Sequence, residues 1–437
     1  MRALIMTAHA KRFINIKNST LDGEVSTSKF LVVGAGGQGA PCASILSRDP
    51  EVSRIVLADI NEELLNKVSK KIRSEKLTAV RVDAGILEDL KNAAKGVDAV
   101  INLTHIRFNA NVMEAAVKSG AHYVDTALDY EGIWKQLVEN KPLNYDKEFR
   151  KAGLTAVLGC GGSPGITNVL ARYLCDKLDS VDSIRIVLGG KSLRESKDVV
   201  ETWEPGWSPE IALSDYAHEV DIFRDGEFSK VPPFSGAEEY KFPSPVGPLL
   251  VSWHCHEEPV MLPRFIGKGV KYVDFRYPVD KIAGALIKLG FASHEPIEVK
   301  GVKVAPVDVL MRLVRRPVNE FLIEDEKKVK ASSLYKFYMI IEVEGEKAGE
   351  KIQCKIIVGD IEPNADEKLK MFRKFGTTMI WVAAPAIIGA KMSIEGDAEQ
   401  GVIGSECLNP IKFLKKMAGM GTPVRFEETT SKSVSVS

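Results

Sequence analysis

The segment Val32-Val33-Gly34-Ala35-Gly36-Gly37-Gln38-Gly39 constrains this chain more than any other. An apolar run, Phe30–Val33, leads into it, and a helical pattern leaves it and continues to about Ser47. Each glycine has a mechanical reason. Gly34 permits a tight strand-to-helix turn, Gly36 admits the close approach of a diphosphate, and Gly39 lets the helix pack on the strand. Gly37 and Gln38 belong to the same loop, whose amides at a helix N-terminus form an anion cradle. Pro41 suits the first helical turn, where a missing amide proton costs nothing. A second apolar strand ends in Asp59, twenty positions after Gly39, where a carboxylate accepts hydrogen bonds from an adenosine ribose. That carboxylate repels a 2′-phosphate, so NAD is favoured over NADP, and Arg54, read as preceding the strand, is badly placed to reverse the preference.

Strands and helices continue to alternate after this unit, with strand-like runs at Ile55–Ala58, Thr78–Val82, Ala99–Leu103, His122–Val124 and Leu154–Leu158. Such alternation implies a doubly wound parallel sheet covered on both faces, an α/β Rossmann fold. Ligands lie at the C-terminal ends of such strands. Asp83 and Ala84 are therefore expected near the adenine, Leu103 and Thr104 near the nicotinamide ribose, and Thr126 after the fifth strand. From about residue 160 to 370 the pattern changes. Apolar runs at Ile184–Leu188, Tyr272–Phe275, Leu334–Val343 and Ile352–Val358 are separated by irregular stretches, which predicts a second, α+β domain on a mixed sheet. Lys374–Ile394 reads as one further apolar helix. The expected organisation is an N-terminal extension (1–27), a dinucleotide domain (28–159) and a catalytic and dimerisation domain (160–374). A helical segment returning to the dinucleotide domain (375–430) and a tail (431–437) with nothing to pack against complete it.

Composition narrows the class. The 437 residues carry 59 Lys+Arg against 59 Asp+Glu, so no net charge draws the chain to nucleic acid or an anionic membrane. The longest apolar stretch, Met379–Ala390, is shorter than a bilayer span and holds Pro385. Six scattered cysteines without a C-x-x-C pair suit a reducing compartment, and a cytoplasmic enzyme is expected.

Several segments in order resemble the saccharopine dehydrogenase-like family. They are Val33–Gly39, Ala121-His122-Tyr123-Val124-Asp125-Thr126, Cys160-Gly161-Gly162-Ser163-Pro164-Gly165-Ile166-Thr167-Asn168, Trp207-Ser208-Pro209, His256-Glu257-Glu258-Pro259 with Leu262-Pro263-Arg264, and Ala383–Ala390. The resemblance implies NAD(P)-dependent oxidation or reduction of a carbon–nitrogen bond in an amino acid or imine adduct, and a homodimer joined through the catalytic domain. Members forming saccharopine or carboxynorspermidine usually carry Asp where this chain has Ser163, whereas lysine 6-dehydrogenases carry a small neutral residue.

Such chemistry needs proton carriers and a carboxylate anchor beside the cofactor. Asp129, Cys160 and His105, each after a strand end, are the candidate proton carriers; Asp129 equally suits a helix N-cap, and Cys160 a tight buried loop. Arg264 and Arg276 are the candidate anchors for the carboxylate of a small amino-acid substrate, with Arg107 and Arg224 behind them. His256 and Glu257 are assigned to the substrate pocket, and Trp203, Trp207 and Trp253 could wall it. His254-Cys255-His256 invites a metal, but in a strand its two histidines share a face and Cys255 points away, leaving zinc short of ligands; no metal is expected. Two rival readings are a dinucleotide-binding sensor without chemistry and a dehydrogenase of alcohols or semialdehydes.

Overall fold

The computed structural model describes residues 27–192, 202–326, 329, 335–359 and 365–432. The N-terminal extension up to residue 26 and the last five residues lie outside them. Strands β1 (Ser28–Val33), β2 (Val52–Asp59), β3 (Leu77–Arg81), β4 (Ala99–Asn102), β5 (His122–Val124) and β6 (Thr155–Leu158) form one parallel sheet. A late strand, β17 (Gly401–Gly404), pairs with β6, so the order is β17-β6-β5-β4-β1-β2-β3. Every residue of β4, β6 and β17 is buried, as expected of strands covered on both faces. The order reverses between β1 and β4, and the crevice above that switch point is where such sheets take ligands. Arg54 lies inside β2, not before it, and its guanidinium donates to the carbonyl of Lys95, 3.3 Å away.

The second sheet has nine strands. Its backbone runs β10 (Glu238–Lys241), β11 (Pro248–Trp253), β12 (Tyr272–Pro278), β7 (Ser180–Ser192), β15 (Tyr335–Lys347), β16 (Glu350–Val358), β18 (Glu427–Lys432). The hairpin β8 (Val220–Arg224) and β9 (Glu227–Val231) joins through β12. Only β7 and β12 pair in parallel, which makes the sheet mixed. A small hairpin, β13 (Ile297–Val299) and β14 (Val302–Val304), stands apart. The stretch from Trp203 to Pro248, irregular in the sequence, holds the helix Pro209–Ala217 as well as β8, β9 and β10.

The C-terminal region departs from expectation at three points. Lys374–Ile394 is two helices, Ala365–Phe375 and Ala383–Ile394, broken at Gly376 with φ 76°. Glu320 pins the break by accepting from the hydroxyl of Thr377 and from the amide and hydroxyl of Thr378 at 2.6–2.9 Å. After these helices the chain adds β17 to the first sheet and then β18 to the second, so it is not wholly helical. Ser431 and Lys432, placed in the unsupported tail, pair with Gln353 and Ile352 of β16. Helix Ala383–Ile394 packs against β4, β5, β6 and helix Gly39–Arg48, with ten of its twelve residues buried.

Candidate active site at the ends of the parallel strands

The glycine turn has the geometry its spacing predicts. A Cβ on Gly34 (φ 101°) would stand 2.6 Å from the carbonyl oxygen of Leu103, and one on Gly39 would stand 1.7 Å from that of Gly34. Gly36 and Gly37 face open space within 4 Å. The first two glycines thus close the turn on itself and on β4, while the other two leave a face for a ligand. The Oε1 of Gln38 is buried without a hydrogen-bond partner. Asp59 ends β2, its Oδ2 accepting from the Ala35 amide at 2.7 Å and its Oδ1 from the Asn61 amide at 2.8 Å. The carboxylate therefore braces the turn.

The other strand ends are tied together by buried polar groups. Asp83 accepts from the Gly85 amide at 2.8 Å, and Asn111 donates to the carbonyl of the buried Ala84 at 3.1 Å. Leu103 donates its amide to Val33, joining the loop after β4 to β1. Thr104 donates to Asn102 through its amide and hydroxyl. From Asn102 the network passes to Asn109 and Tyr123, then to Asp125, which also accepts from the Gly159 amide at 2.7 Å. Asn102, Tyr123 and Asp125 went unassigned in the sequence, although their polarity inside apolar strands was the signal. Thr126 lies half-buried against Gly161.

The proton-carrier candidates separate. Cys160 is wholly buried, its thiol donating to the carbonyl of Pro385 and packed below Gly389, and burial pushes its pKa upward. Sealed under a helix, it cannot exchange protons with the crevice; this corrects its assignment. His105 caps a short 3-10 turn by accepting from the Arg107 amide, and burial lowers its pKa. Its Nε2 lies 3.8 Å from Glu210 on the helix Pro209–Ala217. Asp129 is half-buried and caps the π-helical turn Tyr130–Trp134 through the Ile133 amide; burial raises its pKa.

Both expected anchors have partners within the protein. Arg264 is exposed and donates to Asn140. Arg276 is buried in the second sheet, where Asp274 and the carbonyl of Gly236 take its donors and Trp253 covers its face. These partners tie Arg276 into the second sheet. Arg224 also lies over Trp253, whose indole donates to Asp274, so that ring is structural. Trp203 is buried in a cluster with Ala212, Leu213 and Tyr216, while Trp207 meets Tyr277 edge-on. Arg107 is exposed over Phe108.

What does gather beside the ends of β5 and β6 is an acidic cluster around one imidazole. β11 ends at Trp253, so His254-Cys255-His256 is irregular backbone and not a strand. His256 stacks on Phe275 (4.0 Å, 8°) and donates from Nδ1 to Glu258, the first residue of helix Glu258–Ile266. Glu258 also accepts from the hydroxyls of Ser163, in the loop after β6, and Thr167, the latter at 2.7 Å. Glu257 lies 3.3 Å from His256 and accepts from the Leu128 amide at 3.1 Å. Asp215 accepts from Tyr130 at 2.6 Å. Burial alone would lower the His256 pKa, but Glu258 and Glu257 more than offset it and push it up to about 9. Burial raises Glu257 and brings Asp215 to about 7, whereas His256 and the two hydroxyls hold Glu258 below the carboxylate range despite burial. His256, Glu257 and Glu258 bring ligand atoms within 4.8 Å of one another. Both oxygens of Glu258 are already occupied, an arrangement that suits an imidazolium better than a metal ion.

Comparison with known proteins agrees with this architecture. Residues 30–157 match the saccharopine dehydrogenase NADP binding domain, and 161–422 match the saccharopine dehydrogenase C-terminal domain. A carboxyaminopropylagmatine dehydrogenase of Synechocystis sp. is 24% identical, covering 91% of this chain and 96% of the relative. A carboxynorspermidine synthase of Vibrio cholerae is 27% identical, covering 90% and 95%. The fold also matches apo saccharopine dehydrogenase (L-Glu forming) from Saccharomyces cerevisiae, with TM-score 0.63, 15% identity and coverage of 92% and 100%.

Proposed function

This chain belongs to the saccharopine dehydrogenase family, an oxidoreductase with a nicotinamide dinucleotide cofactor, and from that premise we propose the site and the substrate class on which it works. The dinucleotide lies along the loop Gly34–Gly39, its diphosphate over Gly36 and Gly37 and its adenosine ribose on Asp59. Asp83 and Ala84 flank the adenine, and Leu103, Thr104 and Thr126 line the path to the nicotinamide. The observation that carries this reading is the contrast within one turn. Two glycines are sterically obligatory, and the two between them leave space for a ligand. When bound, the cofactor takes up or supplies the hydride; the protein's share is to bind, orient and manage protons.

The substrate class is a secondary amine carrying further ammonium groups, made from or broken into an imine. Two relatives bear the names of carboxylated polyamine enzymes. In this chain the groups around the imidazole are carboxylates, Asp215, Glu257 and Glu258, joined by the phenol of Tyr130 on Asp215. Such a pocket attracts cationic amine chains. NAD is the preferred cofactor because Asp59 stands at the ribose. The NADP reading rests on Arg81, which pairs with Asp59 across β2 and β3 and, among the described residues, has Glu62, 3.8 Å away, as its ion partner. A homodimer, and a cytoplasmic location supported by six unpaired thiols, complete the reading. No helix among the described residues is long and apolar enough to cross a membrane.

The test incubates the protein with NAD or NADP and carboxynorspermidine, saccharopine or lysine, and follows absorbance of reduced nicotinamide. Turnover of carboxynorspermidine with NAD, and of lysine at a small fraction of that rate, is the expected result. Turnover of none of them, or only of matched hydroxy acids, overturns the reading.

A further inference from the structure

The His256–Glu258 pair has a form that the amine reading leaves unexplained. Its imidazole is braced on one nitrogen and has no protein partner among the described residues on the other. Nδ1 is committed to Glu258, the ring lies flat on Phe275, and 17% of the side chain remains exposed. Glu258 is itself fixed, fully buried, by two hydroxyls from the loop and helix that follow β6. Glu257 anchors the same turn to the chain after β5 through Leu128. The pair therefore stands over the C-terminal ends of β5 and β6, on the nicotinamide side of the switch point between β1 and β4.

We propose that His256 is the acid–base catalyst at the reacting nitrogen, and that Glu258, held by Ser163 and Thr167, is the residue that positions it. The proposal rests on the amine reading above. In the reductive direction the Nε2–H bond breaks and its proton forms the new N–H bond of the imine nitrogen. The hydride pair from the reduced dinucleotide forms the C–H bond at the imine carbon. The imine is reduced to a secondary amine, the dinucleotide is oxidised, and His256 is left neutral and recovers a proton through its exposed edge. In the oxidative direction the neutral imidazole takes the proton from the amine. The carboxylate on Nδ1 fixes which nitrogen faces the substrate and stabilises the imidazolium, so one bond serves both tautomer and charge.

The charged groups facing the ring are Glu258 and Glu257 on its own turn and Asp215 from the helix Pro209–Ala217, with the neutral His254 nearby. Removing the nearest of them should therefore be read in a pH profile. Wild type, His256→Gln, Glu258→Gln and Ser163→Ala are compared for oxidation of carboxynorspermidine with NAD across pH, together with NAD affinity. His256→Gln is expected to lose about 10²–10⁴-fold in kcat while binding NAD as before. Glu258→Gln should keep the hydrogen bond but lose the charge, moving the ionisation that limits kcat toward acid by about one unit or more. Ser163→Ala should move it in the opposite direction, by less, because Glu258 loses a donor. Retention of kcat within about threefold by His256→Gln, or an unmoved profile in Glu258→Gln, overturns the proposal while leaving the amine reading intact. If wild type turns over no amine, both fall. A His256→Gln protein that no longer binds NAD is replaced by His256→Asn, judged by the same criteria.

Discussion

The two halves of the crevice are built in opposite ways. The half proposed for the dinucleotide is a short stretch of chain from Val33 to Asp59, one turn and one carboxylate, whose shape the glycines set. The half proposed to handle protons is assembled from side chains that are far apart in sequence: Tyr130, Ser163, Thr167, Asp215 and the run His256–Glu258. Backbone amides bind an anion wherever a turn exposes them, so such a site is written locally. A buried imidazole among acids exists only when several segments meet, because each charge needs the others to remain inside.

Substitutions can break this contrast, and the largest effect belongs to the assembled half. His256→Leu leaves Glu258 buried and uncompensated, and chemical denaturation should show a loss of about 3–5 kcal/mol. A loss below about 1 kcal/mol would mean that the pair is not a buried ion pair at all. In the local half the effects divide by glycine. Gly39→Ala forces a Cβ into the carbonyl of Gly34 and should cost about 3 kcal/mol of stability along with dinucleotide binding. Gly36→Ala meets nothing in the free protein, so its melting temperature should match wild type while calorimetry finds NAD affinity reduced about tenfold, near 1.4 kcal/mol.

That division follows the limits of what could be read from the chain. The turn, Asp59, the parallel sheet and the mixed second sheet were legible because spacing and apolar periodicity encode them within a few tens of residues. Arg264 and Arg276 were misjudged because a guanidinium's role depends on its neighbours, and Asp274 sits two residues from Arg276 on the same face of β12. Cys160 followed a strand end as required, but the helix that seals it arrives more than two hundred residues later. β17, four residues with a glycine at each end, carries too short a pattern to be seen. His256 was assignable to the pocket, whereas Glu258 gains its role only through Ser163 and Thr167. A histidine two positions before the first acid of a helix was the available signal.

A subtler test lies between the halves, in the buried acid Asp125. Burial raises its pKa to about 8, against the Gly159 amide and the Tyr123 hydroxyl that favour its charged form. The folded state thus holds a proton that the unfolded chain releases in the ordinary carboxylate range. Its contribution to stability is complete below that range and is lost as pH rises toward 8. Asp125→Asn keeps an acceptor for Gly159 and removes the titration. Its melting temperature should fall less between about pH 5 and pH 8 than that of wild type, by about 2 °C or more. Identical slopes would show that Asp125 is ionised throughout. The smallest expected change is in selectivity: Asp59→Ala should bring NAD and NADP affinities within about threefold of each other, and unchanged discrimination would remove Asp59 from the site.

The most direct measurement is a crystal structure of the protein with NAD. The diphosphate should rest against the amides of Gly36 and Gly37, with the adenosine ribose on Asp59 and the nicotinamide turned toward His256. A dinucleotide bound away from the loop Gly34–Gly39, or a nicotinamide directed away from β5 and β6, would contradict the account.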